Sequence, residues 1–391
     1  MDISYIINEL GEDRSMYAGA VTPPIMQTAM FAFDTVEKMR ETLQQESEMP
    51  FYTRGHNPTT HILEQKMAAL EHAEDALVFA SGSAAVSAAV IANVNQNDHI
   101  VCVKSPYSWT NKLLNNFLSR FGVTNTMVDG TDPQNFEKAI QPNTRIIFLE
   151  SPNSWTFEQQ DLAAVAQIAK KHDIVTIIDN SYATPLLQKP IDYGIDIVVH
   201  SATKYISGHS DTIAGVLCAS KEMTSKIFAS EYMTLGGVIA PMNAWLLLRG
   251  LRTLPARIDR ISATTAQVVD YLQKHPMVKK VYYPYLESNP QYELAKKQMT
   301  KGAGQFTIEL ATDDMASIEK FCNHLKRFLM ACSWGGHESL IFPACVLYTS
   351  ANYNAVTLPV NMIRFCVGLE EPEALIADLE QAFAAINVEV N

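Results

Sequence analysis

The chain has 391 residues, a formal net charge of −12, 47% hydrophobic and 18% charged residues. That length exceeds one ordinary core and fits two or three domains, and the composition is globular, neither disordered nor fibrous. An acidic protein repels nucleic-acid backbones and anionic membrane surfaces, so neither is expected as a partner.

The N-terminal stretch MDISYIINELGEDRS carries acids and no apolar core of signal-peptide length. No stretch approaches the ~18 uninterrupted apolar residues of a spanning helix. A cytoplasmic location with reduced thiols is therefore expected. The six cysteines, Cys102, Cys218, Cys322, Cys332, Cys345 and Cys366, include no C-x-x-C pair. No metal site is expected from them. Cys102, Cys218 and Cys366 lie within apolar runs and read as small buried hydrophobes.

In chain order, residues 1–50 read as an irregular N-terminal arm with one helix over 34–47. From 75 onward, short apolar runs alternate with helical patterns. DALVFA (75–80) predicts a strand, and the small-residue segment SAAVSAAVIANV after it a helix. HIVCV (99–103) predicts a strand followed by a helix over 109–121. RIIFLE (145–150) predicts a strand, and EQQDLAAVAQIAKKHD carries apolar residues at helical spacing. IVTIID (174–179) and IDIVVH (195–200) complete the set. Such alternation implies an α/β fold with a mainly parallel sheet covered by helices, placed here at 51–242. Beyond it, helical patterns at 243–254 and 256–274 precede strands in VKKVYYP, GQFTIEL and MIRFCVG. A helix is expected over 314–329, and a last one from EEPEALIADLEQAF with Pro372 in its first turn. Residues 243–391 thus read as a smaller α+β domain.

The ends of the five strands share a property. Ser81, Gly82 and Ser83 follow the first, Tyr107 the second and Glu150 to Ser154 the third. Asp179 ends the fourth, and Ser201, Thr203 and Lys204 follow the fifth. In open α/β sheets ligands bind at the carboxyl ends of strands. Five polar or aromatic ends aimed at one crevice weigh more than any one of them.

Pyridoxal phosphate asks for this set: an amine for its aldehyde, an acid for its pyridine nitrogen, a stacking ring, a phosphate cradle and a cation for the substrate carboxylate. Lys204, in HSATKYISGHSD, offers the amine, and Ser201 and Thr203 lie close enough to turn hydroxyls onto a phosphate. Asp179 ends a buried strand and needs a cationic partner, because a lone buried charge is costly. Gly82 and Ser83 open a helix whose free N–H groups suit an anion. Tyr107 offers a ring. Arg364, amid apolar neighbours in NMIRFCVG, offers a fork for a carboxylate. Each has a plainer reading alone: a solvated lysine, a turn aspartate, an ordinary SGS turn, a packed tyrosine and a structural ion pair.

The segment DNSYATPLLQKPIDYGIDIVVHSATKYISGHSD resembles the cofactor-lysine signature of the cystathionine lyase/synthase family of cysteine and methionine metabolism. YTRGHNPT (52–59), GAVTPPIMQTAMF (19–31) and LLLRGLRTLPARIDR (246–260) resemble its Tyr-x-Arg segment, arm and domain-junction helices. The resemblance implies a fold-type-I enzyme dependent on pyridoxal 5′-phosphate. It is expected to be a homotetramer of two dimers with shared active sites. It implies Lys204 as Schiff-base lysine and catalytic base, Asp179 at the pyridine nitrogen and Tyr107 as stacking and proton-transferring aromatic. Gly82, Ser83, Ser201 and Thr203 would bind phosphate, Tyr52 and Arg54 would reach the neighbouring subunit's phosphate, and Arg364 would hold the substrate carboxylate.

IQPNTRIIFLESPNSWTFEQQD and SWGGHESLI (333–341) resemble the bacterial β-lyase branch, which puts Ser154, Ser333 and Trp334 at the substrate. YTRGHNPT is closer to the γ-lyase form. Cys332 stands where β-lyases tend to carry tyrosine and γ-lyases glutamate, and reads either as a reactive thiol or as a small packed residue. The expected activity is carbon–sulfur β-elimination on L-cystathionine or a related cysteine conjugate, giving a thiol, pyruvate and ammonia. A γ-lyase comes second and a γ-synthase third. A regulatory protein on an inactive fold of this kind is disfavoured by the intact lysine, aspartate, tyrosine and arginine.

Overall fold

The five apolar runs between residues 75 and 201 become strands of one seven-stranded sheet, joined by TNTMV and GVLCA. The seven are β1 (Asp75–Phe79), β2 (His99–Val103), β3 (Thr124–Val128), β4 (Thr144–Glu150), β5 (Val175–Asp179), β6 (Ile197–Ser201) and β7 (Gly215–Ala219). Their order is β1-β7-β6-β5-β4-β2-β3. Pairings among β2 to β6 are parallel, whereas β7 runs antiparallel to both β1 and β6. The computed structural model describes residues 1–348 and 358–387.

The strands that read as continuous apolar runs are the most deeply buried. Ile146, Ile147, Phe148 and Leu149 of β4, Ile177 and Ile178 of β5, and Ile197, Val198 and Val199 of β6 have no exposed surface. Helices α3 (Pro58–Glu71), α4 (Gly82–Ile91) and α7 (Leu162–Lys171) pack against the sheet. Pro58 opens α3, where its missing N–H costs nothing, and the Asn57 side chain caps the helix by accepting from Thr59 N–H at 2.9 Å.

Short helices α1 (Ile3–Asn8) and α2 (Val36–Leu43) precede α3, and α5 (Ser108–Lys112) and α6 (Gln134–Ala139) lie between α4 and α7. The α1 segment is anchored by Lys66, a fully buried lysine on α3. Its ammonium donates to the carbonyls of Ile6 and Ile7 at 2.9 and 3.1 Å and pairs with Glu12 at 3.1 Å. Arg252 at 3.0 Å and Arg14 at 3.8 Å add to the pairing of Glu12, so the buried carboxylate faces three cations.

The chain divides into two compact units. The second contains 154–158, 208–210 and everything from Leu254 onward, and the rest forms the first. The division lies between Thr253 and Leu254, inside one continuous helix, Pro241–Lys274. The second unit has a five-stranded sheet in the order β10-β11-β12-β9-β8. Its strands are β8 (Val278–Tyr282), β9 (Gln305–Leu310), β10 (Leu329–Met330), β11 (Leu340–Pro343) and β12 (Met362–Cys366). All of its pairings but β10–β11 are antiparallel. Phe306 and Phe365 stack at 5.3 Å in its core, with Phe321 and Phe383 beside each other at 4.6 Å. The architecture is therefore α/β, with a mainly parallel sheet and a smaller antiparallel one.

Four expectations need correction. The patterns at 243–254 and 256–274 form a single helix that carries Pro255 inside it. The helix expected over 109–121 is one α-helical turn in α5, then a π segment at Leu113–Phe117 and a 3-10 turn at Leu118–Phe121. The helix over 314–329 stops at His324, because Leu325 turns to extended backbone and Leu329 enters β10. The helix over 34–47 is α2, capped at Thr35 and ending at Leu43. Among the described residues, no helix is long and apolar enough to cross a membrane.

Candidate active site

Asp179 is the last residue of β5, and Ser201 the last of the neighbouring β6. The Ser181 hydroxyl links them: it donates to Asp179 Oδ1 at 2.6 Å and accepts from the Ser201 N–H at 2.6 Å. The Ser181 N–H also donates to Oδ1 at 3.0 Å. This is the D-x-S turn in which a carboxylate satisfies backbone two residues on. Asp179 Oδ2 accepts no hydrogen bond among the described residues. Burial pushes the Asp179 carboxyl above the usual range; the Ser181 hydrogen bonds and the charges of His200 and Lys204 pull the other way. Such a carboxylate gains from a cation at its open oxygen.

Gly82 opens α4 and lies against Ser201. A Cβ on Gly82 would stand 2.8 Å from Ser201 Cβ and 2.9 Å from its Cα. Gly215 is constrained in the same way, since its Cβ would meet the Ser81 carbonyl oxygen at 2.2 Å. Only glycine admits these approaches. The Ser81 side chain caps α4 by accepting from Ala84 N–H at 3.1 Å. The Gly82 and Ser83 N–H groups ahead of it have no acceptor among the described residues, nor has the Ser201 hydroxyl a partner. Helix N-terminal N–H groups beside a hydroxyl suit a phosphate.

Lys204 is half-buried on the loop between β6 and β7, with its N–H donating to the Ser201 carbonyl at 3.2 Å. Thr203 is used differently from the sequence expectation. Its hydroxyl donates to the Ala214 carbonyl at 3.2 Å and accepts from the Ala214 N–H at 3.0 Å, closing the Lys204 loop. One lone pair remains, which cannot donate to a phosphate. Tyr107 is 44% exposed, and its N–H donates to the Glu150 carboxylate at the end of β4 at 2.6 Å. Tyr52 and Arg54 are exposed; the Arg54 guanidinium stands 5.5 Å over the Tyr52 ring. Neither has a hydrogen bond or ion pair with Gly82, Ser201 or Lys204.

Arg364, Ser333, Trp334 and Ser154 belong to the second unit. Arg364, on β12, donates to the Cys332 carbonyl at 3.4 Å and lies 5.3 Å from the Trp155 ring and 5.5 Å from the Phe342 ring. Trp155 meets Phe342 edge-on at 5.9 Å and has a positive φ of 70°. With the Gln305 amide turned, its oxygen accepts from Trp334 Nε1 at 3.3 Å and Arg364 Nε at 3.2 Å. Arg364 and Trp334 are thus joined through Gln305. Ser154 accepts from Thr156 N–H through its carbonyl at 2.9 Å. Ser333 is half-buried beside Trp334, and Cys332 is exposed.

Sequence reasoning missed Ser181, Gln305 and Trp155. Ser181 was legible in the D-x-S spacing. Trp155 has no local signal.

An acid with one open oxygen, a cradle that a methyl group would fill and an amine on the adjoining loop fit a phosphorylated pyridine aldehyde. These are the properties of a fold-type-I pyridoxal-phosphate enzyme. The chain belongs to the Cys/Met metabolism PLP-dependent enzyme family, whose model matches residues 5–384. It is 41% identical over 379 residues to an L-methionine gamma-lyase of Treponema denticola, covering 95% of this chain and 94% of that protein. It is 34% identical over 372 residues to the cystathionine beta-lyase MetC of Bacillus subtilis, covering 94% and 93%. The crystal structure of metB from Corynebacterium glutamicum superposes with a TM-score of 0.92 at 31% identity, covering 98% of each chain.

Proposed function

We propose that this enzyme is a carbon–sulfur lyase that performs γ-elimination on a neutral sulfur amino acid of the methionine type. The products would be a thiol, 2-oxobutyrate and ammonia. The observation that carries the choice of side chain is the setting of Arg364. Its neighbours include the aromatic faces of Trp155 and Phe342, the Gln305 amide and the Cys332 carbonyl. A guanidinium beside two aromatic faces sets a carboxylate ligand next to apolar surface, which suits a thioether better than a second charged amino-acid end. The full-length likeness to a methionine gamma-lyase supports the same choice.

When bound, pyridoxal phosphate supplies an electron sink for charge developing at the substrate Cα. The chain supplies the rest. Gly82, Ser83 and Ser201 would hold the phosphate, with Thr203 fixing the loop. Asp179 Oδ2 would hold the pyridine nitrogen in its protonated form. The Lys204 amine would take the Cα proton and, for γ-elimination, the Cβ proton only after it has given the first one up. Tyr107 would stack on the ring, and its phenol or the Lys204 ammonium would return a proton to the departing sulfur. Arg364 would fix the carboxylate, with Trp334 and Ser333 lining the pocket and Ser154 near it. The proposal includes a cytoplasmic homotetramer in which Tyr52 and Arg54 serve a neighbouring subunit's phosphate.

A second reading, β-elimination on L-cystathionine or a related cysteine conjugate, is favoured by the SWGGHESLI segment and Ser154. Product analysis separates them. With pyridoxal phosphate, L-methionine should yield methanethiol and 2-oxobutyrate. Pyruvate and homocysteine from L-cystathionine, with no turnover of L-methionine, would replace the first reading by the second.

A further inference from the structure

Behind Asp179 and Ser201 lies a buried polar cluster that the elimination chemistry does not use. Glu71, the last residue of α3, and His200 on β6 have side chains with no exposed surface. His200 Nε2 donates to Glu71 Oε1 at 2.5 Å, and the Asn180 amide donates to the same oxygen at 3.1 Å. Asn180 also donates to the Gln188 carbonyl at 3.0 Å. The Gln188 amide returns a hydrogen bond to Asn180 Oδ1 at 3.0 Å and reaches the Ser151 carbonyl beyond β4 at 2.8 Å. Glu71 Oε2 and His200 Nδ1 have no partner among the described residues.

As core packing this is a poor choice. A carboxylate and an imidazole are withdrawn from water, each with an unsatisfied atom, where apolar side chains would serve stability as well or better. The placement explains the choice. The two donors to Glu71 are the sequence neighbours of the two cofactor residues, Asn180 beside Asp179 and His200 beside Ser201. Successive strand residues face opposite ways. Ser181 therefore ties the two strand ends on the cofactor side, and Glu71 ties them on the far side. A rigid cofactor held at its ring nitrogen and its phosphate requires a fixed spacing between those two ends.

We propose that Glu71 and His200 are positioning residues for the cofactor, a rear clamp that sets the distance between the Asp179 and Ser201 anchor points. The inference rests on the placement of the cofactor described above. It predicts that loosening the clamp lowers cofactor affinity while leaving substrate recognition intact.

The test titrates apo tetramer or dimer, as isolated, with pyridoxal phosphate and follows the visible absorbance of the bound cofactor. Glu71→Gln keeps the volume and removes the charge. Its dissociation constant should rise about tenfold or more, the scale of one weakened hydrogen bond to a charged group. KM measured at saturating cofactor should stay within about twofold of wild type. His200→Gln, which can still donate to Glu71, should retain more affinity than His200→Leu. A dissociation constant within twofold of wild type for both Glu71→Gln and His200→Leu, in proteins with wild-type circular dichroism, overturns the inference. So does a loss of affinity matched by an equal rise in KM, which would mark general loosening. Asp179→Asn is run alongside. If it too binds cofactor like wild type, the placement of the cofactor fails and not the clamp alone.

Discussion

Gly82→Ala tests the cradle with a single methyl group. In most helices the exchange is favourable by ~1 kcal/mol. Here the new Cβ would stand 2.8 Å from Ser201 Cβ, 2.9 Å from its Cα and 3.0 Å from its Oγ. Ser201 cannot swing aside, because its Cα belongs to β6 and its N–H is held by Ser181. The start of α4 must therefore retreat by several tenths of an ångström. Overpacking of this kind costs about 1–3 kcal/mol. Set against the propensity gain, apo stability should fall by roughly 0–2 kcal/mol, a melting shift of a few degrees. Cofactor affinity should fall further, since the N–H groups of Gly82 and Ser83 move away from the Ser201 hydroxyl. Losing one charge-assisted hydrogen bond corresponds to about 1.5–3 kcal/mol, or roughly ten- to hundredfold in the dissociation constant. Absorbance titration of apo enzyme and a calorimetric melt give both quantities from one preparation. A variant that melts higher than wild type and binds pyridoxal phosphate equally well would refute the cradle.

Three more outcomes are expected. Lys204→Ala should abolish turnover while leaving circular dichroism and oligomeric state unchanged; wild-type turnover would remove the lysine from the mechanism. Trp155→Ala should raise KM about two- to fivefold with kcat nearly unchanged, because a guanidinium–ring contact contributes ~0.5–1 kcal/mol; a pure kcat effect would place Trp155 elsewhere in the reaction. His56 is 5% exposed, and burial and the neighbouring His61 lower its pKa to about 4 from 6.5. Its folded-state pKa is depressed, so stability is complete above the unfolded value and is lost as pH falls from about 6.5 through about 4, by up to roughly 3 kcal/mol. His56→Gln should flatten that part of a stability-versus-pH curve, and an unchanged slope would assign it to other groups.

The parallel core of the sheet was readable because β4, β5 and β6 are unbroken apolar runs, and only strands buried on both faces look like that. The convergence of Gly82, Asp179, Ser201 and Lys204 followed from placing each at a strand end. The antiparallel β7 was hidden: GVLCA carries no mark of direction, and its insertion between β1 and β6 is a long-range event. Pro255 suggested a break between two helices, yet the surrounding packing keeps one helix through it. The clamp at Glu71 joins residues 129 positions apart and has no local pattern. Thr203 lies on the Lys204 loop, and which group its hydroxyl serves there depends on where β7 brings Ala214.

The position of β7 also bears on the order of assembly. The loop that carries Lys204 is closed at its base by the pairing of Ser201 with Gly215, and Gly215 in turn lies against Ser81. Strand β7 lies between β1 and β6 and pairs with both. A nascent chain lacking residues 215–219 keeps Asp179 tied to Ser201 through Ser181 and the β5–β6 pairing, but lacks the strand that pairs with both β6 and β1, the strand just ahead of α4. On the proposed placement of the cofactor, its capture belongs to the completed sheet, and chains ending before Gly215 would leave it in solution.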